Sequence, residues 1–148
     1  MESPSDLELQ VLAIVWERGE VSVRDVLENL PDGRPRAYTT VLSVLQTMEK
    51  KGLVASRREG KANLYRALAE QDRMLGSLLR RMVRQVFGGR PAAMMECLLG
   101  GTQVSKEELA ELREIIESHV KEAGREKDED AAGTHRKQPK PDAKGGVE

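Results

Sequence analysis

Cysteine and aromatic residues are scarce in this chain of 148 residues. It contains a single cysteine, Cys97, and aromatic residues make up 3% of the sequence. One cysteine cannot form an internal disulfide, and together with two histidines it cannot build a Cys/His metal cluster within one chain. We therefore expect no metal site and no cofactor, and a core built from Leu, Val, Ile, Met and Ala.

Long apolar runs and catalytic motifs are also missing. No apolar stretch approaches the roughly 20 residues that span a bilayer, and the polar start MESPSD is unlike a secretory signal. No glycine-rich phosphate loop, HExxH or GxSxG sequence occurs. Cys97 lies in AAMMECLL without a neighbouring histidine, which predicts a buried structural thiol. We expect a cytoplasmic protein without membrane insertion that is not an enzyme.

Charge is unevenly distributed within a nearly neutral total of −1. Residues 34–90 contain 13 Lys or Arg and four Asp or Glu, a net charge of +9, whereas the remainder holds 11 basic and 21 acidic residues, or −10. This asymmetry indicates a local surface for a polyanion. A solvated helix face is the other interpretation that charge alone leaves open.

Hydrophobic periodicity predicts three helices and a β-hairpin in the first 69 residues. LELQVLAIVWERG and VSVRDVLENLP have helical spacing, and Ser5 and Ser22 stand at capping-box positions before them. A third helix, 36–51, has an apolar stripe formed by Ala37, Val41, Val44, Leu45 and Met48. Two short strands, 53–58 and 62–68, flank the basic turn REGKA. This order is that of a winged helix-turn-helix.

Three more helical patterns follow at residues 70–87, 91–99 and 105–123, before a charged segment begins at Gly124. That segment has almost no large apolar side chain, so we expect it to be disordered. The predicted fold is mainly α with a small β-hairpin wing. We divide it into a winged-helix DNA-binding domain (1–69), a helical dimerisation domain (70–123) and a disordered charged tail (124–148).

The outward face of the third helix carries small hydroxyl residues and no acid before Glu49. Such a face could approach base edges in a major groove, and a basic hairpin suits phosphate or minor-groove contact. The alternatives are that Thr and Ser cap the helix or bond its own carbonyls, and that the hairpin charges prevent strand aggregation. The predicted DNA-binding residues are Arg36, Tyr38, Thr39, Thr40, Ser43, Gln46, Thr47, Lys50, Arg57, Arg58, Lys61 and Asn63.

The C-terminal helices carry more Leu, Met and Ile than an appendage of this size buries alone. Association with a second copy would cover these side chains, and a two-fold protein suits a two-fold DNA site. The alternative is that the helices fold back on their own winged domain. The predicted dimerisation residues are Leu75, Leu78, Leu79, Met82, Val86, Phe87, Met94, Met95, Leu98, Leu109, Leu112, Ile115 and Ile116.

Several of these segments together resemble the BlaI/MecI/CopY (penicillinase repressor) family. The resemblance rests on AYTTVLSVLQTMEKKGLV, REGKANLYRA and LELQVLAIVWERGEVSVRDVLENL, and extends through VFGGRPAAMMECLL and SKEELAELREII. It implies a bacterial dimeric repressor of palindromic operators with an intertwined C-terminal region. The family's DNA contacts would fall on Thr40, Ser43 and their neighbours, and on the basic wing.

The resemblance leaves the inducing signal open. In antibiotic-responsive members, a membrane zinc-protease sensor triggers cleavage of an Asn-Phe bond late in the second C-terminal helix, where this chain has Gly100-Gly101. Copper-responsive members carry a C-terminal CxCxxxxCxC motif, which this chain lacks. We predict a homodimeric repressor of double-stranded operator DNA, released by a membrane protease sensor or an unknown inducer. The alternative is a winged-helix module that binds a partner protein.

Overall fold

The structure, a computed structural model, describes residues 3–133. Six helices and three strands follow one another along the chain. They are α1 (Asp6–Arg18), β1 (Glu20–Ser22), α2 (Val23–Asn29), α3 (Tyr38–Lys50), β2 (Val54–Glu59), β3 (Ala62–Ala67), α4 (Gln71–Val86), α5 (Pro91–Gly101) and α6 (Lys106–Gly133). The predicted mainly helical fold with a β-hairpin wing is therefore confirmed.

The first three helices pack on a three-stranded antiparallel sheet with strand order β1-β3-β2. Their core consists of aliphatic side chains and one aromatic residue, Tyr65, which is 1% exposed. Burial raises the pKa of the Tyr65 hydroxyl. The sequence did not predict β1, because three residues between two helices are too few to show strand alternation. Only their pairing with the distant β3 makes them a strand.

Serine caps fix where the first two helices begin. Ser5 accepts from the backbone N–H of Glu8 while Glu8 accepts from the Ser5 N–H, and Ser22 and Asp25 repeat the arrangement. Both predicted capping boxes are confirmed. The hydrogen bonds that the Ser22 N–H and hydroxyl donate hold the pKa of Asp25 below its usual range.

Helix α3 begins two residues later than predicted. Ala37 is its N-cap, with extended backbone, and is exposed, so its placement in the buried stripe was wrong. An N-cap residue precedes the helical turn and does not share the inward direction of later positions. Val41, Leu45 and Met48 are buried as predicted, and Val44 is partly buried against the core.

Two compact units, Met1–Met94 and Met95–Glu148, divide the chain. In the first unit Met74 of α4 packs against the winged core, so α4 begins on the winged domain in a single chain. The predicted boundary at residues 69–70 separates a DNA-binding domain from a dimerisation domain. It stays a prediction, because a single chain does not show which helices form the dimer. None of the residues of α4, α5 and α6 is buried.

Two predictions about the C-terminal region were wrong. Cys97 is exposed rather than buried, because no part of the described chain covers this side of α5. Helix α6 continues to Gly133, so residues 124–133 are helical and not a disordered tail. Glu, Lys, Arg and Ala favour helix without needing burial. The rest of the predicted tail, 134–148, lies outside the described residues.

Candidate nucleic-acid interface

All seven predicted contact residues within α3 lie on its solvent side. Tyr38, Thr39, Thr40, Ser43, Gln46, Thr47 and Lys50 are exposed. The opposite side of the helix is fixed by Val41, Leu45 and Met48, which are at most 2% exposed. The 3.6-residue period therefore separates a buried stripe from an outer face, and that face has no acid until Glu49.

The hydroxyls of this face have different surroundings. Thr47 Oγ1 donates to the Ser43 carbonyl at 3.0 Å, so the interpretation that threonine bonds its own helix is correct for Thr47. Within residues 3–133, the side chains of Thr39, Thr40 and Ser43 make no hydrogen bond. These three hydroxyls are available to a ligand, whereas Thr47 presents mainly its methyl group.

The start of α3 has no side-chain cap. Ala37 offers only its carbonyl, which accepts from the N–H groups of Thr40 at 3.0 Å and Val41 at 3.3 Å. The earlier N–H groups of the helix remain directed outward, at the positive end of the helix dipole. This end adjoins the exposed hydroxyls and suits a phosphate oxygen.

Arg36 does not extend freely from the start of the helix. Its two terminal nitrogens donate to the carboxylate oxygens of Asp32 at 2.8 and 2.6 Å. The paired guanidinium holds the pKa of Asp32 well below its usual range, and the carboxylate raises that of Arg36. The two side chains are 16% and 23% exposed, so water reaches the pair and screens it in part. The Arg36 charge is thus partly neutralised where the sequence predicted a DNA contact.

Strand alternation places the predicted wing residues on two different faces. Ser56 is paired with Tyr65, and Arg58 is paired with Asn63, so these four residues lie on the same face of the hairpin. Tyr65 is the buried end of this face, and Arg58 and Asn63 are its exposed end. Ser56 also contacts α3, which identifies this face as the one toward α3. Arg57 points to the other face.

Arg57 is held on that other face by acids. Its Nε and Nη2 donate to the two carboxylate oxygens of Glu20 in β1 at 2.7 and 2.9 Å, and Nη2 lies 3.4 Å from Glu59. The pair lowers the pKa of Glu20 and raises that of Arg57. The structure therefore does not bring Arg57 together with the outer face of α3.

The other predicted wing cations are unpaired with acids within residues 3–133. Arg58 Nε donates to the Gly60 carbonyl at 3.3 Å, and Lys61 follows Gly60 at the hairpin tip, where φ is 62°. Glycine reaches this left-handed conformation without strain. Arg58, Lys61 and Asn63 therefore remain on the wing as candidate contacts.

Two hydrogen-bonded links that sequence patterns did not indicate position α3. Glu49 Oε1 accepts from the Ser56 N–H at 3.1 Å and from its hydroxyl at 2.6 Å, which joins α3 to β2. Lys51 Nζ donates to both carboxylate oxygens of Glu8, at 2.9 and 3.1 Å, and Glu8 is only 5% exposed. These links tie the end of α3 to β2 on one side and to α1 on the other.

The predicted dimerisation residues are exposed or partly buried. Leu79, Met82, Val86, Leu98, Leu109, Ile115 and Ile116 are between 43% and 71% exposed. Leu75, Leu78, Phe87, Met94, Met95 and Leu112 are partly buried. A single chain therefore leaves many large apolar side chains of α4, α5 and α6 in contact with water.

Three helices followed by a basic β-hairpin, with an exposed third helix rich in hydroxyl groups, are the features of a winged helix-turn-helix protein. The sequence model of the penicillinase repressor family matches residues 4–118. The chain therefore belongs to the penicillinase repressor family, as the sequence resemblance predicted. This is a family of transcriptional repressors, so the protein is a transcription regulator and not an enzyme.

The chain is also similar to individual proteins. The chain is 24% identical over 115 residues to the penicillinase repressor of Bacillus licheniformis, covering 78% of this chain and 90% of the relative. It is 38% identical over 93 residues to the transcriptional regulator BlaI of Mycobacterium tuberculosis, covering 61% and 67%. A solution structure of monomeric B. licheniformis BlaI in complex with the blaP half-operator matches 48% of this chain and 87% of that chain, with 22% identity and a TM-score of 0.41.

None of the helices in the described part of the chain combines the length and the apolarity that a membrane span requires. Residues 3–133 also bring together no group of three His, Cys, Asp or Glu side chains that could hold a metal ion.

Proposed function

We propose that this protein is a homodimeric repressor that occupies palindromic double-stranded operator DNA. The observation that carries the proposal is the exposed, acid-free face of α3 next to the α3-facing side of the wing. Outside residues 34–90, acidic residues outnumber basic ones by 21 to 11. A helix face without acidic residues is therefore unusual in this chain. A surface free of negative charge is what a phosphate-lined groove requires.

Helix α3 would lie in the major groove with its N-terminal half toward the bases. Thr39, Thr40 and Ser43 have hydroxyls without protein partners, and Gln46 has an amide that suits adenine. Their short side chains would let the helix backbone come close to the base edges. The uncapped first turn and Lys50 would contact phosphates at either end of the helix.

The wing would contact the DNA backbone or minor groove through Arg58, Lys61 and Asn63. Arg58 and Asn63 share the face that continues toward α3, and Lys61 is at the tip. Arg57 would not take part while Glu20 holds it, and Arg36 would have to leave Asp32 to reach a phosphate.

Helices α4, α5 and α6 would supply the dimer contacts. Their exposed large apolar residues, among them Leu79, Val86 and Ile116, are uncovered in one chain, and a second copy of the chain would cover them. Because a symmetric dimer presents two recognition helices, it would match two half-sites of opposite orientation. A repressor of this type would act in the cytoplasm by occupying a promoter.

Release from DNA would follow proteolysis or ligand binding. A membrane protease sensor is a partner implied by the family resemblance, but Gly100-Gly101 replaces the Asn-Phe bond and lies within α5. We favour a small inducer for this chain for that reason. Mass spectrometry of the intact protein after induction would distinguish the two, because only proteolysis shortens the chain.

DNA binding is tested with Ser43→Glu and a matched control. Fluorescence anisotropy would follow DNA from the protein's own promoter region. We expect Ser43→Glu to weaken binding by about tenfold or more, because it places a carboxylate against phosphates. Ser118→Glu adds the same charge on exposed α6 and should bind as the unaltered protein does.

Circular dichroism should show equal helicity in both variants. Binding should also weaken steeply as salt is raised, since phosphate contacts release counterions. If the unaltered protein binds no promoter DNA at low salt, the proposal fails. A protein-interaction module, the alternative function, would be indifferent to nonspecific competitor DNA.

A further inference from the structure

A cleft outside the candidate nucleic-acid interface lies between the base of the winged core and α4. It has a volume of about 580 Å³ and is contained in the first compact unit. Its apolar lining comes from Leu53 and Leu68, at the two ends of the hairpin, and from Met74 and Leu78 of α4. Leu68 is 51% exposed although it is a large apolar residue.

Basic and hydroxyl groups line one side of this cleft at helical spacing. Arg73, Ser77 and Arg81 occupy positions i, i+4 and i+8 of α4, so they form a polar row about 12 Å long. The row runs beside Met74 and Leu78, each one position further along the chain. A ligand in the cleft would therefore meet both apolar side chains and guanidinium groups.

The two arginines have no carboxylate partner in the described chain. Arg81 donates to the hydroxyl of Ser3, which is neutral, and Arg73 makes no hydrogen bond or ion pair within residues 3–133. Glu70 is the one acid among the described lining residues, which leaves a net charge of +1 in the cleft. This balance favours a ligand with a single negative charge.

We propose that this cleft binds a small amphipathic monocarboxylate, with its apolar body against the leucine and methionine side chains of the cleft and its carboxylate on Arg73 or Arg81. Binding by itself does not depend on the function proposed above. The further role of this ligand as the inducer rests on that function. A ligand wedged between the hairpin base and α4 would change the angle between the winged core and the helix that leads toward the dimer contacts.

Decanoate and decanol are suitable probes, because they share an apolar chain and differ in charge. Calorimetry would measure their binding to the full-length protein. The single tryptophan, Trp16, gives a second signal, because its Nε1 donates at 2.9 Å to the carbonyl of Ala69, which lines the cleft. We expect saturable decanoate binding with one site per chain, and decanol binding weaker by about tenfold or more.

Variants assign this binding to the cleft. The double change Arg73→Gln with Arg81→Gln should weaken decanoate binding by about tenfold or more, because it removes both charged donors. Arg84→Gln removes a charge from the same helix outside the cleft and should leave the affinity unchanged. Leu68→Glu, at an exposed position that tolerates a polar side chain, should also abolish binding by repelling the carboxylate.

Equal affinities for decanoate and decanol would overturn the proposed anion site. Equal decanoate binding by the double variant and the Arg84 variant would also overturn it, as would the absence of saturable binding. The inducer role is measured separately, as promoter-DNA affinity with and without saturating decanoate. A fall in that affinity supports it, and an unchanged affinity refutes it. Failure to bind DNA without decanoate would refute the proposed repressor function and leave the calorimetric result standing.

Discussion

Arg57 and Arg58 are neighbours in the chain with opposite surroundings. Glu20 and Glu59 neutralise Arg57 on one face of β2, whereas Arg58 shares the other face with Asn63 and Ser56. A guanidinium already held by two acids contributes little to the attraction of a polyanion. Only one of the two adjacent arginines is therefore placed to contact DNA.

A paired substitution tests this difference between the two arginines. Arg58→Ala should weaken DNA binding and lower the steepness of its salt dependence by about one unit, the effect of losing one phosphate contact. Arg57→Ala should leave both quantities nearly unchanged. Anisotropy titrations at several salt concentrations would measure them. Equal losses in the two variants would contradict the division of the wing into two faces.

The sequence could not separate Arg57 from Arg58. Both are basic residues in a predicted strand, and alternation assigns them to different faces without saying which face meets α3. The difference between the two arginines comes from β1, which was not predicted. Glu20 of β1 forms an ion pair with Arg57, although the two residues are far apart in the sequence. By contrast, six contact positions in α3, from Thr39 to Lys50, were predicted to face outward, because the helical period of Val41, Leu45 and Met48 fixes both sides at once.

At the scale of elements, the contact between α3 and β2 sets the position of the wing. Glu49 accepts two hydrogen bonds from Ser56, at the point where the hairpin leaves the core. The acid lies near the end of α3, on the side of the helix that adjoins β2. Its role in this geometry is to orient the wing relative to α3.

Ser56→Ala would remove the 2.6 Å hydroxyl bond to Glu49 without changing any charge. We expect faster amide hydrogen exchange in β2 and DNA binding weaker by about threefold, the cost of a single hydrogen bond. The salt dependence should stay unchanged, since no phosphate contact is lost. Ser105→Ala, which removes a serine cap from α6, is the matched control for DNA binding. A shallower salt dependence in Ser56→Ala would instead mean that this hydroxyl touches DNA itself.

Helix ends were predicted well where serine caps mark them and poorly where they do not. Ser5 and Ser22 fix the starts of α1 and α2. Helix α3 has no side-chain cap, and its start was placed two residues too early. The end of α6 was placed ten residues too early, because the absence of large apolar residues was taken as disorder although the helix needs no burial to form.

At the scale of the whole molecule, a second chain is the proposed cover for the apolar surfaces of α4, α5 and α6. Ile115 and Ile116 of α6 are 55% and 56% exposed, which is costly in water for side chains of this size. The exposed thiol of Cys97 belongs to the same unburied region. The composition of these helices predicts that a single chain cannot bury all their apolar side chains. It could not predict which of these side chains stay exposed.

Ile116→Asp tests the dimer. A carboxylate at a covered apolar position costs several kcal/mol, so the variant should sediment as a monomer. Its affinity for a palindromic DNA site should fall by about tenfold or more, since one recognition helix is left to bind alone. Ser118→Asp, two residues away and exposed, should remain dimeric. A dimeric Ile116→Asp protein would place the interface elsewhere.

The ion pairs of Arg36 and Arg57 have a consequence for how such a protein would search a genome. Every stretch of chromosome attracts free cations, and wrong sites outnumber an operator by about a millionfold or more. Two arginines are paired with Asp32 and Glu20. These ion pairs reduce the nonspecific attraction of the protein to DNA phosphates, which does not depend on the base sequence. The hydroxyl and amide contacts of α3 would then contribute a larger share of the binding free energy. The repressor would therefore dissociate quickly from nonspecific sites and slowly from its operator.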